Sequence, residues 1–225
     1  MRKLTLTFDN GPIPGITEDI LAILDRQRIK ATWMVLGKNI QSQEGQDLLR
    51  TIASAGHWIG DHSMTHSIAF GEKPDVAYAE YEILETQRLI EPYAHPEKYF
   101  RPFGNGGLMG PHLLSEEALS CLVEHKFTCL LWNSIPRDWN DPDGWVERGI
   151  AQAMEQDWTV VVLHDIPGAC VSRLEEYITR ARDQGIEIVQ EIPESVLPIR
   201  HGRVVSLPDL YVAGRVAMPS GESQL

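Results

Sequence analysis

The fold is decided by the stretch LTLTFDNGP at residues 4–12, which joins an apolar segment to a polar turn. Residues 4–8 alternate threonine with large apolar side chains, a pattern typical of a buried strand. Asp9 and Asn10 follow directly, and Gly11-Pro12 closes the turn. Taken alone, Asp9 and Asn10 fit an Asx turn that begins the next element. The alternative is a functional site at the end of the strand.

Short apolar runs alternate with amphipathic stretches along the rest of the chain. This alternation predicts a parallel sheet wrapped by helices. Strands are predicted at 4–8, 31–36, 57–59, 99–101, 128–132, 159–164 and 187–190. Seven such strands predict an α/β fold, an irregular and incomplete β/α barrel.

Helices are predicted between these strands from their apolar spacing. Thr17 is the predicted N-cap of the first helix, whose apolar residues are Ile20, Leu21 and Leu24. The apolar stripe of the third helix is predicted to be Val76, Tyr81, Leu84 and Leu89. The other helices are predicted at 47–54, 115–125, 144–156 and 172–184.

The C-terminal part of the chain loses this periodicity. Four prolines fall after residue 192, and the segment has no clear helix or strand pattern. We therefore expect a barrel at 1–192 and a C-terminal tail at 193–225 that wraps around it, with a disordered end.

Composition limits the partners and the compartment. The formal net charge of −12 among 225 residues disfavours binding to nucleic acid or to anionic membranes. Three cysteines in apolar surroundings predict buried free thiols. Because neither a signal segment nor an apolar run of ~20 residues is visible, we expect a cytoplasmic protein. The sequence leaves the oligomeric state open.

Polar residues concentrate just after the predicted strands, where the loops of a β/α barrel form the active site. The stretch HSMTH at 62–66 places His62 and His66 four residues apart. On one helical turn this spacing would put both imidazoles on the same face, a geometry suited to one divalent metal ion. A lone histidine is more often structural, but this pair beside the Asp9-Asn10 turn favours a metal site.

Three later clusters carry further candidate residues. Arg101, in the stretch RPFGNGG at 101–107, could orient a carboxylate, although an ordinary turn with a surface arginine is the alternative. Trp139, next to Asp138, could face an acetyl methyl group or a sugar ring, or fill the core. His164 ends the buried run at 160–163 and is a candidate general acid or a structural histidine. The remaining histidines have no partner at metal-ligand spacing.

Together these motifs resemble the polysaccharide deacetylases, the NodB-homology enzymes of carbohydrate esterase family 4. That family carries Thr-Phe-Asp-Asp-Gly-Pro followed by His-Ser/Thr-x-x-His, and the resemblance spans most of residues 4–165. It implies a (β/α)7 TIM-like barrel and hydrolysis of an amide bond. It also implies that Asp9 is the general base, and that Asn10, His62 and His66 hold a divalent metal.

The resemblance assigns roles to the later clusters as well. Arg101 would position Asp9, while a backbone N–H near Phe103 and Gly104 would stabilise the oxyanion, although the family's Arg-x-Pro-Tyr/Phe motif is one residue shorter here. His164 would be the general acid, tuned by Asp138. Trp139 and Val162, which stands where the family has leucine, would line the acetyl pocket.

Two departures from the family pattern stand out. Asn10 replaces the second aspartate, so its amide oxygen could coordinate a metal but would contribute no negative charge. Metal affinity should fall, and the more positive site should keep Asp9 ionised. Ile135 occupies another position that is acidic in the family. The ligand set would accept Zn²⁺, Co²⁺ or Ni²⁺, with Zn²⁺ expected first.

Three functions follow as alternatives. The first is a metal-dependent N-deacetylase of an N-acetylated carbohydrate or a small N-acyl compound. The second is a metal-independent amidohydrolase resembling allantoinase or the cyclic imidases, which Asn10 favours and the retained His62 and His66 oppose. The third is a catalytically inactive, carbohydrate-binding relative.

Overall fold

A curled sheet of nine strands forms the centre of the structure, a computed structural model that describes residues 1–215. The strands are β1 (Lys3–Asp9), β2 (Thr32–Val35), β3 (Trp58–Asp61), β4 (Tyr99–Phe100), β5 (Thr128–Cys129), β6 (Trp158–His164), β7 (Glu187–Val189), β8 (Ile199–Arg200) and β9 (Arg203–Val204). Their order in the sheet is β6-β1-β2-β3-β4-β5-β8-β9, and β7 pairs with β1.

The first seven strands are parallel, and β8 and β9 continue the sheet in antiparallel pairs. A bridge between Ser134 and Val161 joins the segment after β5 to β6, which curls the sheet towards closure. This is the predicted irregular (β/α)7 TIM-like barrel. The seven predicted strands all form, although several of them end earlier or later than predicted.

Six helices cover the sheet within the described residues. They are α1 (Ile16–Gln27), α2 (Gln43–Ser54), α3 (Val76–Ile90), α4 (Glu116–Glu124), α5 (Trp145–Met154) and α6 (Val171–Asp183). Short 3-10 helices occur at Gly37–Ile40, Phe70–Glu72, Asn105–Gly107, Glu194–Val196 and Asp209–Tyr211. No helix in the part of the chain that the structure describes is both long enough and apolar enough to cross a membrane.

Strand β1 positions the site because its two faces differ. Leu4, Leu6 and Phe8 are fully buried in the apolar cluster that packs against the helices. Side chains alternate along a strand, so Thr5, Thr7 and Asp9 point to the opposite face, towards the interior of the barrel. Pairing of Asp9 with His164 in the β1–β6 register brings two candidate residues to the same strand ends.

The predicted cap of α1 is wrong. Gly15 is the N-cap, and Thr17 lies inside the helix, fully buried. Its hydroxyl accepts a hydrogen bond from the Ile13 N–H at 2.8 Å and donates to Asp165 at 2.7 Å. The hydroxyl therefore links α1 to the residue after β6 instead of capping the helix.

The predicted stripe of α3 is right for Leu84 and Leu89, which are partly buried and pack against the core, and wrong for its other two residues. Val76 and Tyr81 are exposed, at 59% and 48% of their surface. The buried face consists of Tyr78, Ala79, Glu82, Ile83, Thr86 and Ile90. The buried face differs from the predicted one because Tyr78 and Glu82 bind the loop that follows β3. An apolar pattern does not reveal these polar contacts.

The C-terminal segment packs on the barrel as far as the structure describes it. β8 pairs with β5 at Cys129 and Ile199, and Val212 pairs with Leu114 and is fully buried. The predicted disordered end, residues 216–225, lies outside the described residues. Cys121, Cys129 and Cys170 are buried free thiols, as predicted.

Candidate active site

Asp9 and Arg101 form a buried ion pair at the mouth of the barrel. Arg101, which follows β4 and has no exposed surface, donates from Nη1 to Asp9 Oδ1 at 2.7 Å and to Thr7 Oγ1 at 2.8 Å. Burial alone would raise the pKa of Asp9, but the Arg101 guanidinium, through its charge and its hydrogen bond, lowers it below its ordinary value. Asp9 is therefore ionised at neutral pH.

The turn after Asp9 is fixed by its backbone. Asn10 adopts a left-handed conformation with φ 75°, which asparagine tolerates better than most residues. The Asn39 amide donates to the Asn10 carbonyl at 2.7 Å. Gly11 lies so close to Asp165 that an added Cβ would be 2.1 Å from the carboxylate, and only glycine fits there. The Asn10 side-chain oxygen is buried and has no hydrogen-bond partner among residues 1–215.

The segment that carries His62 and His66 is an irregular loop, so the helical turn predicted from their spacing is wrong. Ser63 and His66 have left-handed φ angles of 79° and 56°, which interrupt any helix. The two imidazole centroids are nevertheless only 5.0 Å apart. His62 Nδ1 bonds the Arg101 carbonyl at 2.9 Å and Nε2 lies 3.5 Å from Asp9 Oδ2.

Burial keeps both imidazoles neutral. It lowers the pKa of His62 despite the nearby Asp9 carboxylate. It also lowers the pKa of His66 to about 3, with a further contribution from His62. The Phe103 ring stacks on His66 with centroids 3.9 Å apart, which restricts the orientation of the imidazole. Two neutral, oriented imidazoles are the form that binds metal ions.

The donors at this site fit a divalent metal. Because His62 Nδ1 carries the hydrogen bonded to a carbonyl, its Nε2 is left with a lone pair, as in histidine ligands held by a backbone carbonyl. The buried, unpartnered oxygen of Asn10 supplies a neutral third donor. Within residues 1–215, no group of three or more His, Cys, Asp or Glu side chains is arranged to hold a metal ion. A site at Asn10 therefore draws one of its donors from an amide.

His164 ends β6 on the other side of Asp9. Asp138, fully buried, accepts from His164 Nδ1 at 2.8 Å and from the His164 backbone N–H at 2.8 Å. The Trp139 ring meets the imidazole edge to face, with centroids 4.4 Å apart. Both contacts fix the orientation of the ring. Asp138 binds Nδ1, so Nε2 is free of this carboxylate.

These groups line one cavity of about 290 Å³. Its walls include Asp9, Asn10, His62, His66, Phe103, Gly104, Trp139, Val162 and His164, together with Trp132, Ile135 and Ile166. Nine of the eleven predicted site residues are in that set; Arg101 and Asp138 lie behind it and bind Asp9 and His164. The Phe103 N–H, the predicted oxyanion donor, has no protein acceptor within the described residues.

Two glycines in the wall allow close packing. A Cβ on Gly104 would lie 2.9 Å from the His112 ring, and one on Gly107 would lie 1.8 Å from the Ile135 side chain. Both glycines have positive φ angles, which disfavour other residues. The loop at 104–107 can therefore lie flat against Ile135 and form the rim of the cavity.

Sequence reasoning missed several residues around the site. Trp132 and Ile166 line the cavity, and Ile166 could have been found because it follows His164 by two residues. Glu82 on α3 binds the backbone of the histidine loop. Its signal is an acidic residue at helical spacing from Tyr78 and Thr86, on what proves to be the buried face.

Comparison with known proteins identifies related sequences. A family model described as polysaccharide deacetylase matches residues 1–106. The chitooligosaccharide deacetylase of Rhizobium leguminosarum bv. trifolii is 31% identical over 217 residues, which cover 93% of this chain and 90% of that protein. The range matched by the family model includes the Asp9-Asn10 turn and the histidine loop.

Solved structures show the same fold. A family 4 acetyl xylan esterase from Clostridium thermocellum, in complex with a cobalt ion, has a TM-score of 0.67 at 26% identity and covers 84% of this chain and 88% of its own. A family 4 carbohydrate esterase from Streptomyces lividans, in complex with acetate, has a TM-score of 0.70 at 23% identity and covers 89% and 96%. With these likenesses and the motif geometry together, the chain belongs to the polysaccharide deacetylase family.

Proposed function

We propose that this protein is a metal-dependent N-deacetylase that removes the acetyl group from an N-acetylated carbohydrate or a small N-acyl compound. The observation that carries the proposal is that the Asp9–Arg101 pair and the Asp138–His164 pair meet two neutral histidines at one cavity. The relative from Rhizobium leguminosarum bv. trifolii is a chitooligosaccharide deacetylase by name, and a neutral acetamide suits a cavity with this lining.

Asn10, His62 and His66 would hold the metal, because they bring the free amide oxygen and the two neutral imidazoles described above. Deacetylases of this family use a divalent metal. When bound, it would polarise the substrate carbonyl and make water more acidic. Two imidazoles and an amide oxygen would accept Zn²⁺, Co²⁺ or Ni²⁺, and we propose Zn²⁺.

Asp9 acts as the general base in this proposal. Its lowered pKa keeps it ionised at neutral pH, so it can accept a proton from the attacking water. Arg101 holds one oxygen of the carboxylate by a 2.7 Å hydrogen bond. The other oxygen faces His62 and the cavity. Arg101 thus positions the base without blocking it.

His164 acts as the general acid. Asp138 binds Nδ1 and stabilises the imidazolium, so Nε2 can deliver a proton to the departing nitrogen. The amide C–N bond breaks as the nitrogen takes that proton. Water supplies the oxygen of the acetate, its proton goes to Asp9, and the products are acetate and a free amine.

The acetyl methyl would lie against the aromatic and apolar wall. Trp139 and Val162 flank His164 in that wall, and Ile135 and Ile166 extend it. The Phe103 N–H is the proposed donor to the oxyanion, because it is at the cavity and uses no acceptor within residues 1–215. Gly104 has a positive φ angle of 129°, which allows the chain to turn directly after Phe103.

Elemental analysis and an acetate-release assay test this function together. Protein purified without added metal is analysed for bound metal, then assayed on N-acetylglucosamine oligomers and on a small N-acyl amine. The proposal predicts about one divalent ion per chain after reconstitution and acetate release that a chelator abolishes. Acetate release in the presence of chelator would instead indicate a metal-independent amidohydrolase. Sugar binding without any release would indicate an inactive relative.

A further inference from the structure

Glu82 is a buried carboxylate outside the proposed catalytic set. It lies in the middle of α3 and only 1% of its surface is exposed. Within residues 1–215 no Lys, Arg or His nitrogen forms an ion pair with it. Burial of an acidic group without a cation is costly unless hydrogen bonds compensate for the lost water. The hydrogen bonds of Glu82 therefore indicate the role of this buried carboxylate.

Both oxygens of Glu82 bind one residue. Oε2 accepts the backbone N–H of Thr65 at 2.8 Å, and Oε1 contacts the Thr65 hydroxyl. Thr65 immediately precedes His66 in the chain. The two contacts fix both the backbone and the side chain of Thr65, and so they limit where the next residue can lie.

The loop at 62–66 needs such anchors because its backbone is strained. Ser63 and His66 occupy the left-handed region, which disfavours residues with a Cβ. The Ser63 N–H donates to Asp61 at 2.7 Å, and the His66 N–H donates to Ser63 Oγ at 3.1 Å.

The other anchors come from the segment after β2. The Gly37 and Lys38 N–H groups donate to the carbonyls of Ser63 and Met64 at 3.0 and 2.8 Å. From α3, the Thr86 hydroxyl contacts Met64 Sδ, and Glu82 holds the N–H of the residue before His66. It therefore connects a helix on the outside of the barrel to the histidine loop.

We propose that Glu82 is a positioning residue that holds His66 in the orientation required to bind the metal. This inference rests on the proposed metal site at Asn10, His62 and His66. Loss of the carboxylate would leave the Thr65 N–H without its acceptor and allow the strained loop to relax. The His66 imidazole would then move away from His62, and metal affinity would fall.

The test compares four variants with the parent protein by titration with Co²⁺. Glu82→Leu removes both acceptors. Glu82→Gln keeps the shape, because its oxygen can accept the Thr65 N–H and its amide can donate to the Thr65 hydroxyl. Thr65→Val removes only the hydroxyl. Glu80→Leu is the matched control, since Glu80 is an exposed residue of the same helix.

The readouts are the Co²⁺ dissociation constant and the visible absorption spectrum of the bound cobalt, with folding checked by circular dichroism. We expect Glu82→Leu to weaken binding by about 10-fold or more and to change the spectrum, as for loss of an outer-shell partner. Thr65→Val should weaken binding by about threefold, whereas Glu82→Gln and Glu80→Leu should stay within about twofold of the parent. A purely structural role would lower stability and leave the spectrum of the folded protein unchanged.

The two proposals fail in different ways. If the parent protein binds Co²⁺ and a folded Glu82→Leu variant binds it equally well with the same spectrum, the role of Glu82 is overturned and the metal site stands. If Glu82→Leu does not fold, unchanged affinity in Thr65→Val overturns the role instead. If the parent protein does not bind Co²⁺, the proposed metal site is overturned, and the inference with it.

Discussion

Asn10 occupies the position at which the family carries a second aspartate, and its side-chain oxygen is buried without a protein partner in the described part of the chain. Its left-handed backbone and the hydrogen bond from Asn39 fix the direction in which the side chain leaves the turn. Aspartate tolerates the same backbone conformation, so it could replace Asn10 without rearrangement. The residue therefore offers a direct test of metal coordination.

Replacing Asn10 with aspartate should tighten metal binding. The new carboxylate would add a negative charge beside two neutral imidazoles, and we expect the Zn²⁺ dissociation constant to fall by about 10-fold or more. Competition with a chromophoric chelator measures the constant. Asn105→Asp, which adds a negative charge at an exposed residue that lines the same cavity, is the control for a general electrostatic effect. Equal affinities for the parent and Asn10→Asp would mean that residue 10 is not a ligand.

Replacing His164 distinguishes a role in proton transfer from a role in metal binding. Because its Nδ1 is held by Asp138 and it is not in the proposed ligand set, His164→Ala should leave metal content near normal. Acetate release should fall by about 10² or more, as for loss of a general acid. Metal content and turnover are measured on the same sample. A parallel loss of metal would assign His164 to coordination and contradict its role as an acid.

The sequence predicts those site residues that lie at the ends of apolar strands. Asp9 and His164 are polar residues directly after apolar strands, and parallel strands bring such ends together. Trp132 was not predicted as a cavity residue, because an apolar side chain outside a regular strand carries no signal of the direction in which it points. The roles of the site residues stay predictions until they are measured.

Among the elements, β6 and α1 meet at a single buried carboxyl group. Asp165 follows β6, donates from its N–H to the Asp9 carbonyl at 2.9 Å, and accepts from Thr17 of α1 and from Trp33 of β2. Burial raises the pKa of Asp165 to about 6, and the Thr17 and Trp33 hydrogen bonds reduce that effect only in part. Asp165 therefore stays protonated to a higher pH in the folded chain than in the unfolded chain.

Asp165 should make stability fall as the pH rises. Its pKa is higher in the folded chain than in the unfolded chain, so its contribution is complete below about pH 4 and is lost as the pH passes about 6. The difference between the two pKa values corresponds to about 3 kcal/mol. Between pH 4 and 8, the stability of Asp165→Asn relative to the parent should rise by up to about that amount.

Urea unfolding at several pH values measures this effect. Asp183→Asn is the control, because Asp183 is an exposed aspartate at the end of α6. Its stability relative to the parent should not change with pH by more than about 0.5 kcal/mol. A difference between Asp165→Asn and the parent that is equally flat would show that the carboxyl has an ordinary pKa.

The elements also show where sequence patterns fail. The buried face of α3 is set in part by Tyr78 and Glu82, two polar residues that bind a distant loop, and apolar spacing alone places the exposed Val76 and Tyr81 on that face. The histidine loop has the spacing of a helical turn, but Ser63 and His66 adopt left-handed angles that the bonds from Asp61 and Ser63 support. Both errors arise from tertiary hydrogen bonds.

On the scale of the whole molecule, the alternation of strands and helices was sufficient to predict the barrel. That pattern did not predict the strands of the C-terminal segment, because β8 and β9 have two residues each and are too short to show a period. They form because β5 leaves an edge with which β8 can pair. The division of the chain at residues 192 and 193 stays a prediction.

If the C-terminal segment stabilises the barrel, shortening the Val212 side chain should destabilise the protein. Val212 is fully buried against Leu114, whereas Val205 in the same segment is 62% exposed. Val212→Ala should lower the free energy of unfolding by about 2 kcal/mol, and Val205→Ala should change it by less than about 0.5 kcal/mol. Urea denaturation compares them. Equal, small effects would mean that residues near 212 do not pack on the barrel.

The central claim is that Asn10, His62 and His66 converge on one cation at the mouth of the barrel. Anomalous diffraction from a crystal soaked in Co²⁺, recorded at the cobalt absorption edge, tests it most directly. The account predicts a single strong peak at about 2.0–2.2 Å from a nitrogen of each histidine and from the Asn10 amide oxygen. A fully soaked crystal with no peak there, or with the cobalt bound elsewhere, would contradict it.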